Sequence, residues 1–508
     1  MRAGRREWFG LAVIALPTLI VTMDLSVLFL AVPKLTRALH PSSSELLWIT
    51  DIYGLMIAAC LITMGTVGDR IGRRRLLLIG GAVFALASLL AAFAPSPGVL
   101  IGARALLGIA GATLAPSSLA LIRNMFSDPR ERQTAISIWI SCFAAGAAVG
   151  PVLGGVLLQS FWWGSVFLPN VPIMALLLAT GSFVLPESRD PSPGGLDLTS
   201  VLISLVSLLA LVYGVTSASE HGVGVVPVAL AFAGVLAGFA FVRRQSRISY
   251  PLVDVNLFRI SRFTAAFGAM LVSVFIIAGT DLFIAQYVQL VHGVSPFHTG
   301  LWLLPGVIAI VLGSMAAPAL AARFSPGRVI VAGLILAALG LLIMGQLEPG
   351  SSLLLLVAAM ALLGLGGGQI GAIGSDLLVG AAPAERAGSA AAVSETATEL
   401  GGALGIALLG SLGTAVYRSS LGGTVPAGVP PHAAAASRAT LGSAVQAATH
   451  LGGDIGAQLR DAAQVAFTHG LTWAALAAAA VTSVAAVVAW ACLGRREALR
   501  REVAGQAG

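Results

Sequence analysis

The chain has 508 residues, of which 57% are hydrophobic and only 10% charged, with a formal net charge of +7. Soluble domains average ~25% charged residues, so this composition excludes a soluble enzyme or binding module and points to an all-α polytopic membrane protein. The positive balance would suit nucleic acid, but the basic residues sit in short segments between apolar runs, which excludes that partner.

Arg2, Arg5 and Arg6 precede an apolar run over residues 8–32 that only Asp24 interrupts. That run is too long for the core of a signal peptide and ends in no small-residue cleavage pattern, so it reads as an uncleaved first span. Runs of about 20 apolar residues, each enough for a ~30 Å hydrocarbon core, predict fourteen transmembrane helices. They fall at 8–32, 45–67, 76–95, 98–122, 133–159, 163–186, 198–217, 224–242, 263–291, 299–322, 328–347, 352–378, 387–417 and 466–493. An even count returns the chain to its starting side. Lys34, Arg37, Arg418, Arg438 and Arg460 then lie outside, Arg104 lies within a span, and the other 23 of the 29 basic residues lie inside. This bias predicts a plasma (inner) membrane protein with both termini cytoplasmic.

Six spans (1–190), two more with a cytoplasmic linker (191–262) and a final six (263–508) give two six-helix bundles in a 6+2+6 order. The segment after span 2, Gly65-Thr-Val-Gly-Asp-Arg-Ile-Gly-Arg-Arg-Arg75, is weakly echoed after span 10 by Ala321-Ala-Arg-Phe-Ser-Pro-Gly-Arg328, which lacks the Asp. Such internal repeats build many secondary transporters. The outer segment 418–465, rich in Ala, Gly and Ser, is expected to be a mobile loop with an amphipathic turn near Ile455–Ala463. The seven histidines fall outside or at outer helix ends without ligand-like pairing. Cys60, Cys142 and Cys492 lie singly in apolar runs. Neither a metal, a cofactor nor a disulfide framework is expected.

Within the spans stand five acids, Asp24, Asp51, Asp281, Glu395 and Glu399, against one base, Arg104. An acid near the bilayer centre costs on the order of 2.5 kcal/mol or more in insertion, so such residues mark functional sites. Glu395 and Glu399 are spaced i,i+4 on one helix face, among Gly401, Gly402 and Gly405, which allow close helix approach. A low-dielectric cavity with surplus carboxylates attracts cations. Tyr53 and Trp139 are aromatic candidates for facing them, each contact adding ~0.5–2 kcal/mol. Asp376 reads as interfacial. The chain holds no nucleophile elbow, phosphate loop or metal-ligand spacing, which argues against an enzyme.

The set Gly65, Asp69, Arg70, Gly72 and Arg73 closely resembles the loop that marks the major facilitator superfamily, and its charge pairs are expected to act as a gating latch. Span 1, with Met23-Asp-Leu-Ser-Val-Leu-Phe-Leu-Ala-Val-Pro33, resembles the first-helix motif of that superfamily's fourteen-span drug:proton antiporters. Arg104 in Ile101-Gly-Ala-Arg-Ala-Leu-Leu-Gly108 matches the fourth-helix motif, and Gly146-Ala-Ala-Val-Gly-Pro-Val-Leu-Gly-Gly155 matches the antiporter motif. Leu47–Tyr53 and Ser394–Leu400 look like their counterparts in quaternary-ammonium pumps of the QacA and LfrA type. The resemblance covers essentially the whole chain. It implies the superfamily fold and export of small lipophilic cations in exchange for protons. By position it implies proton coupling at Asp24, Glu399 and Arg104, a substrate pathway at Asp51 and Glu395, and packing or bending at Gly146, Gly150, Pro151 and Gly154. Ser394 stands where some relatives carry a second acid, and Asp281 is an extra acid, placed with the substrate groups. A monomer is expected. An exporter of one endogenous metabolite or antibiotic on the same fold is the alternative.

Overall fold

The computed structural model describes residues 3–189, 197–222, 224–248, 251, 255–381 and 387–494, apart from the side chains of a few of them, Glu395 included. The helices are α1 (Arg5–Leu39), α2 (Ser43–Ile71), α3 (Arg73–Ala92), α4 (Pro97–Met125), α5 (Pro129–Ser160), α6 (Asn170–Val184), α7 (Leu198–His221) and α8 (Val225–Gln245). They continue as α9 (Ser261–Gln286), α10 (Pro296–Phe324), α11 (Pro326–Met344), α12 (Leu353–Ala381), α13 (Ala387–Gly422), α14 (Pro431–Ala439), α15 (Leu441–Leu451) and α16 (Gly453–Ala489). Among the described residues, 14 helices are long and apolar enough to cross a membrane, as the apolar runs predict. Local chemistry starts several of them. Ser42 and Glu45 form a reciprocal capping box on α2, and Asp128 accepts from the Arg130 and Glu131 amides at the head of α5.

The chain forms two compact units, Met1–Leu209 with Gly293–Leu301, and Ala210–His292 with Trp302–Gly508. In the first, α1 packs against α4, α5 and α6, α2 against α4, and α3 against α4 and α6. In the second, α9 packs against α12, α13 and α16, and α11 against α12 and α16. There α10 meets α12 where Ser314 Oγ donates to the Gly368 carbonyl at 3.1 Å. With α9–α13 and α16 standing for α1–α6, these neighbour pairs correspond, so the repeat hinted at by two loops is largely a repeat of packing; the second unit adds extensive packing of α13 against α16. Few residues of α7 and α8 are fully buried, and Leu202, Phe232 and Phe239 are exposed, the surface a lipid environment favours.

One expectation is corrected. The segment 418–465 is not an open loop, because α13 runs on to Gly422, α14 and α15 follow, and α16 begins at Gly453 rather than near residue 466. Thr440 caps α15 by accepting from the Ser443 amide at 3.1 Å, and the Tyr417 hydroxyl donates to the Ser437 carbonyl at 2.6 Å. Alanine lowers hydropathy relative to leucine but is the best helix former, so an Ala-rich stretch folds where a hydropathy reading sees only a loop. The expected amphipathic turn is the start of α16.

Candidate functional site

The site begins with one buried arginine. Gly108, one turn beyond Arg104 on α4, lies so close to α2 that a Cβ there would stand 2.5 Å from the Tyr53 carbonyl oxygen. This approach carries Arg104 into the interior of the first unit, where it is wholly buried. Its Nε donates to the Ile49 carbonyl at 3.2 Å, its guanidinium carbon lies 4.6 Å from the centre of the Tyr53 ring, and its Nη1 pairs with Asp24 Oδ2. Asp24 is equally buried. A charge in such surroundings is tolerable only when paired and hydrogen-bonded; Nε and Nη1 of Arg104 meet that condition, while its buried Nη2 has no hydrogen-bond partner. The structure therefore joins Asp24, Arg104 and Tyr53, which the sequence offers separately. In this conformation Tyr53 serves the protein's own cation.

Two residues that sequence reasoning missed complete the group. Asn170 opens α6 directly after the 3-10 turn Trp163–Phe167, and Pro172 in that first turn needs no amide partner. Its side-chain amide donates to Asp24 Oδ1 at 3.3 Å and to Ser88 Oγ of α3 at 3.0 Å. No spacing in the sequence announces this. The only available signal is a single Asn in an apolar stretch that also needs a polar partner.

Asp51 lies two residues before Tyr53 on α2, is 1% exposed, and neither carboxylate oxygen has a hydrogen-bond partner. A bare carboxylate in a dry interior is costly unless a proton or a cation neutralises it. Trp139 on α5 is buried, packs edge-on against Phe143 at 4.9 Å, and leaves its indole Nε1 without an acceptor. In the second unit Asp281 is half-buried on α9, and Glu399 is half-buried on α13. Glu395 lies one turn before Glu399 on the α13 backbone, and its side chain is outside the described residues. Asp376 is exposed near the end of α12.

At the α2–α3 turn, Asp69 pairs with Arg73 at 2.5 Å, and Arg70 lies exposed in the last turn of α2. Gly72 has φ +108°, a left-handed value that favours glycine, and a Cβ there would strike the Glu187 carboxylate. Glu187, also missed by the sequence reading, accepts from the Arg74 amide at 3.1 Å at the head of α3, and the Arg74 side chain donates to the Leu185 carbonyl at 3.0 Å beyond the end of α6. Each helix end thus receives the charge its dipole favours. The paired groups on this turn all belong to the first unit. Gly65 is the loosest member of the motif, with 3.9 Å from a built Cβ to Pro116.

The α5 glycines meet α1. A Cβ at Gly146 would collide with the Leu19 carbonyl, at Gly150 with Ser26, and at Gly154 with Val27. Pro151 lies inside α5 within this seam, and Lys34 of α1 closes it by donating to the carbonyls of Leu158 and Phe161 at the end of α5. Among the described residues no group of three or more His, Cys, Asp or Glu could hold a metal ion.

The family model described as Major Facilitator Superfamily matches residues 14–406. The chain belongs to the Major Facilitator Superfamily. Among curated proteins, this superfamily member is 44% identical over 487 residues to the multidrug efflux pump LfrA of Mycolicibacterium smegmatis, covering 96% of each chain. It is 34% identical over 494 residues to the methyl viologen resistance protein SmvA of Salmonella typhimurium, covering 97% of this chain and 99% of that one. Among solved structures, a bacterial homolog of the human lysosomal transporter Spinster matches at TM-score 0.67 and 17% identity, covering 96% and 97% of the two chains, which speaks for the fold. The superfamily makes the chain a multi-pass membrane transporter rather than an enzyme.

Proposed function

We propose that the chain exports lipophilic and quaternary-ammonium cations from the cytoplasm in exchange for protons. The observation that carries this reading is the buried pairing of Asp24 with Arg104 in the same unit as the buried, unpartnered carboxylate of Asp51. Likeness to a multidrug efflux pump and to a methyl viologen resistance protein over nearly the full chain supports the substrate class, methyl viologen being a dication. The working unit is a monomer in the plasma membrane, two six-helix bundles separated in sequence by two further helices, both termini cytoplasmic, alternating access to the two sides.

In the resting form Asp24 is neutralised by Arg104, so Asp24 is the acid suited to carry the coupling proton. Protonation of Asp24 turns its ion pair into a weaker hydrogen bond to a neutral carboxyl, with Arg104 held also by the Ile49 carbonyl and the Tyr53 ring. Asp51, which has no cation of its own, is the carboxylate of this unit that a substrate can neutralise, and Trp139 is an aromatic surface of the same unit suited to a flat cation. Glu399, with Glu395 and Asp281, supplies acid groups from the other bundle. Proton and cation compete for carboxylates within a unit: protonation outside releases the cargo, and deprotonation inside admits the next. Asp69, Arg73 and their neighbours at the α2–α3 turn gate the cycle.

The test is transport of ethidium in vesicles under an imposed pH gradient. Expected is gradient-driven accumulation together with dye-driven proton movement, both absent in Asp24→Asn. Transport of several unrelated cations supports the multidrug reading, whereas gradient-driven transport of one compound alone favours a dedicated metabolite exporter. Dye transport indifferent to the pH gradient would overturn the proton coupling.

A further inference from the structure

We infer that Asn170, held by Ser88, is a positioning residue that reads the protonation state of Asp24 by turning over its side-chain amide. The inference rests on the assignment of Asp24 as the coupling acid, and it adds a residue and a device that the assignment does not contain.

The geometry is that of a donor set for the ionised state. Arg104 occupies Asp24 Oδ2, while the Asn170 amide nitrogen is shared between Asp24 Oδ1 and Ser88 Oγ. Asn170 is wholly buried, and its own carbonyl oxygen has no hydrogen-bond partner. A buried amide with both donors' neighbours supplied and its acceptor idle is a half-used group, and leaving such an acceptor bare costs free energy. The idle atom has a use in the other half of the cycle. When a proton arrives at Asp24 Oδ1, that oxygen turns from acceptor to donor, and the amide nitrogen facing it becomes a donor facing a donor. Rotation of the amide by a half turn presents the carbonyl oxygen to the new Asp24 hydroxyl. A serine hydroxyl both donates and accepts, so Ser88 can follow the change by donating to that same oxygen. No atom other than the proton is transferred: it comes from the outer water and rests on Asp24 Oδ1, and Arg104 keeps Oδ2 as an acceptor. Asn170 thus offers a partner to both forms, with a different atom for each.

The other groups around Asp24 do not duplicate this. Arg104 of α4 is the charged group that faces it. From α5 the facing residues are the glycines of the α1 seam, and neither α6 nor the turn Trp163–Phe167 contains an ionisable side chain. From α3 comes Ser88, whose only charged neighbours on that helix are Arg73, Arg74 and Arg75 in its first turn. From α2 come Tyr53, over the guanidinium, and Asp51, the second buried carboxylate of this unit.

The experiment measures proton uptake and release by the purified full-length protein across pH, with and without ethidium, in wild type, Asn170→Leu, Ser88→Ala and Ser88→Thr, the dye-free measurement also in an Asp51→Asn background. Asn170→Leu removes a charge-assisted hydrogen bond from the ionised form and only a weaker, neutral one from the protonated form, so the midpoint of the pH dependence moves upward by about one pH unit, a roughly tenfold change in proton affinity. Ser88→Ala, which only loosens the amide, moves it in the same direction by less, and Ser88→Thr, which keeps the hydroxyl, restores the wild-type midpoint. The shifts persist with Asp51 neutralised. Ethidium affinity well above the midpoint stays within about twofold of wild type, which a general loss of packing would not allow. If Asn170→Leu does not fold, the contrast between Ser88→Ala and Ser88→Thr decides the question in its place. An unmoved midpoint in folded Asn170→Leu or Ser88→Ala, alongside Asp24→Asn that has lost coupling, overturns the amide switch and leaves the proposed function standing. Full coupling in Asp24→Asn overturns both.

Discussion

The Asp24–Arg104 pair permits a double-mutant cycle whose outcome follows from the structure. Arg104 divides its donors between the Ile49 carbonyl and Asp24, with the Tyr53 ring on one face. Breaking a fully buried ion pair by removing one partner costs ~3–5 kcal/mol, because the survivor keeps its charge without compensation. In Asp24→Asn the amide oxygen can still accept from Arg104, which recovers ~1 kcal/mol, and the cation–ring contact is unchanged. The net loss is therefore ~2–4 kcal/mol. Arg104→Gln strands the carboxylate with only the Asn170 amide, at a loss nearer the upper figure. The double variant Asp24→Asn/Arg104→Gln removes both charges and leaves two neutral side chains able to bond each other. It should unfold later than either single variant, with a coupling energy of at least about 2 kcal/mol. The measurement is thermal unfolding in detergent, followed by the fluorescence of the chain's 8 tryptophans. The double variant should regain stability and still lack proton-coupled transport. A double variant whose loss equals the sum of the two singles would refute the reasoning.

Three further outcomes are expected. Gly146→Ala should lower thermal stability by ~1–3 kcal/mol and slow transport, because its Cβ meets a backbone carbonyl of α1 that cannot swing aside, and wild-type stability in an unfolding assay would count against the seam. Glu187→Gln should weaken the joint between α3 and α6 by ~0.5–1 kcal/mol, the pair with Arg74 being partly exposed, and reduce the ethidium transport rate more than ethidium affinity. An equal fall in both would remove it from the gate. A protease site placed between α13 and α14 should be cut from outside in intact spheroplasts; cutting only after lysis would reverse the proposed orientation.

The helices were legible because each span must be long and apolar, and that requirement leaves a pattern no soluble segment imitates. Helix ends and the outer elements were not. The first turns of α16 carry Asp454, Arg460 and Asp461, and α14 and α15 are mostly alanine and small polar residues, so hydropathy stops before the helices do. Their caps were present in the sequence, with Pro431 opening α14, Thr440 opening α15 and Gly452 closing it. The acids and the lone buried base were legible as well, since charge is rare in a span. Their pairing was not, for Asp24 and Arg104 are 80 residues apart. A charge count alone would have required Arg104 to find one of the five acids without saying which. Asn170, Ser88 and Glu187 are ordinary residues made functional by what the fold sets beside them, and such roles are written only in three dimensions.

The glycine contacts between α1 and α5 have a mechanical consequence. Leu19 faces Gly146, Ser26 and Met23 face Gly150, and Val27 faces Gly154. In the second unit Leu271 faces Gly401, Phe275 faces Gly405, and Leu409 lies over Gly279. Both pairs run parallel, with notches repeating every four residues. Backbone against glycine admits no intermediate position, so either pair can slip only by a whole notch of ~6 Å, past a barrier of colliding carbonyls. Each pair therefore behaves as a stiff double beam that can tilt about its notches but not slide along them.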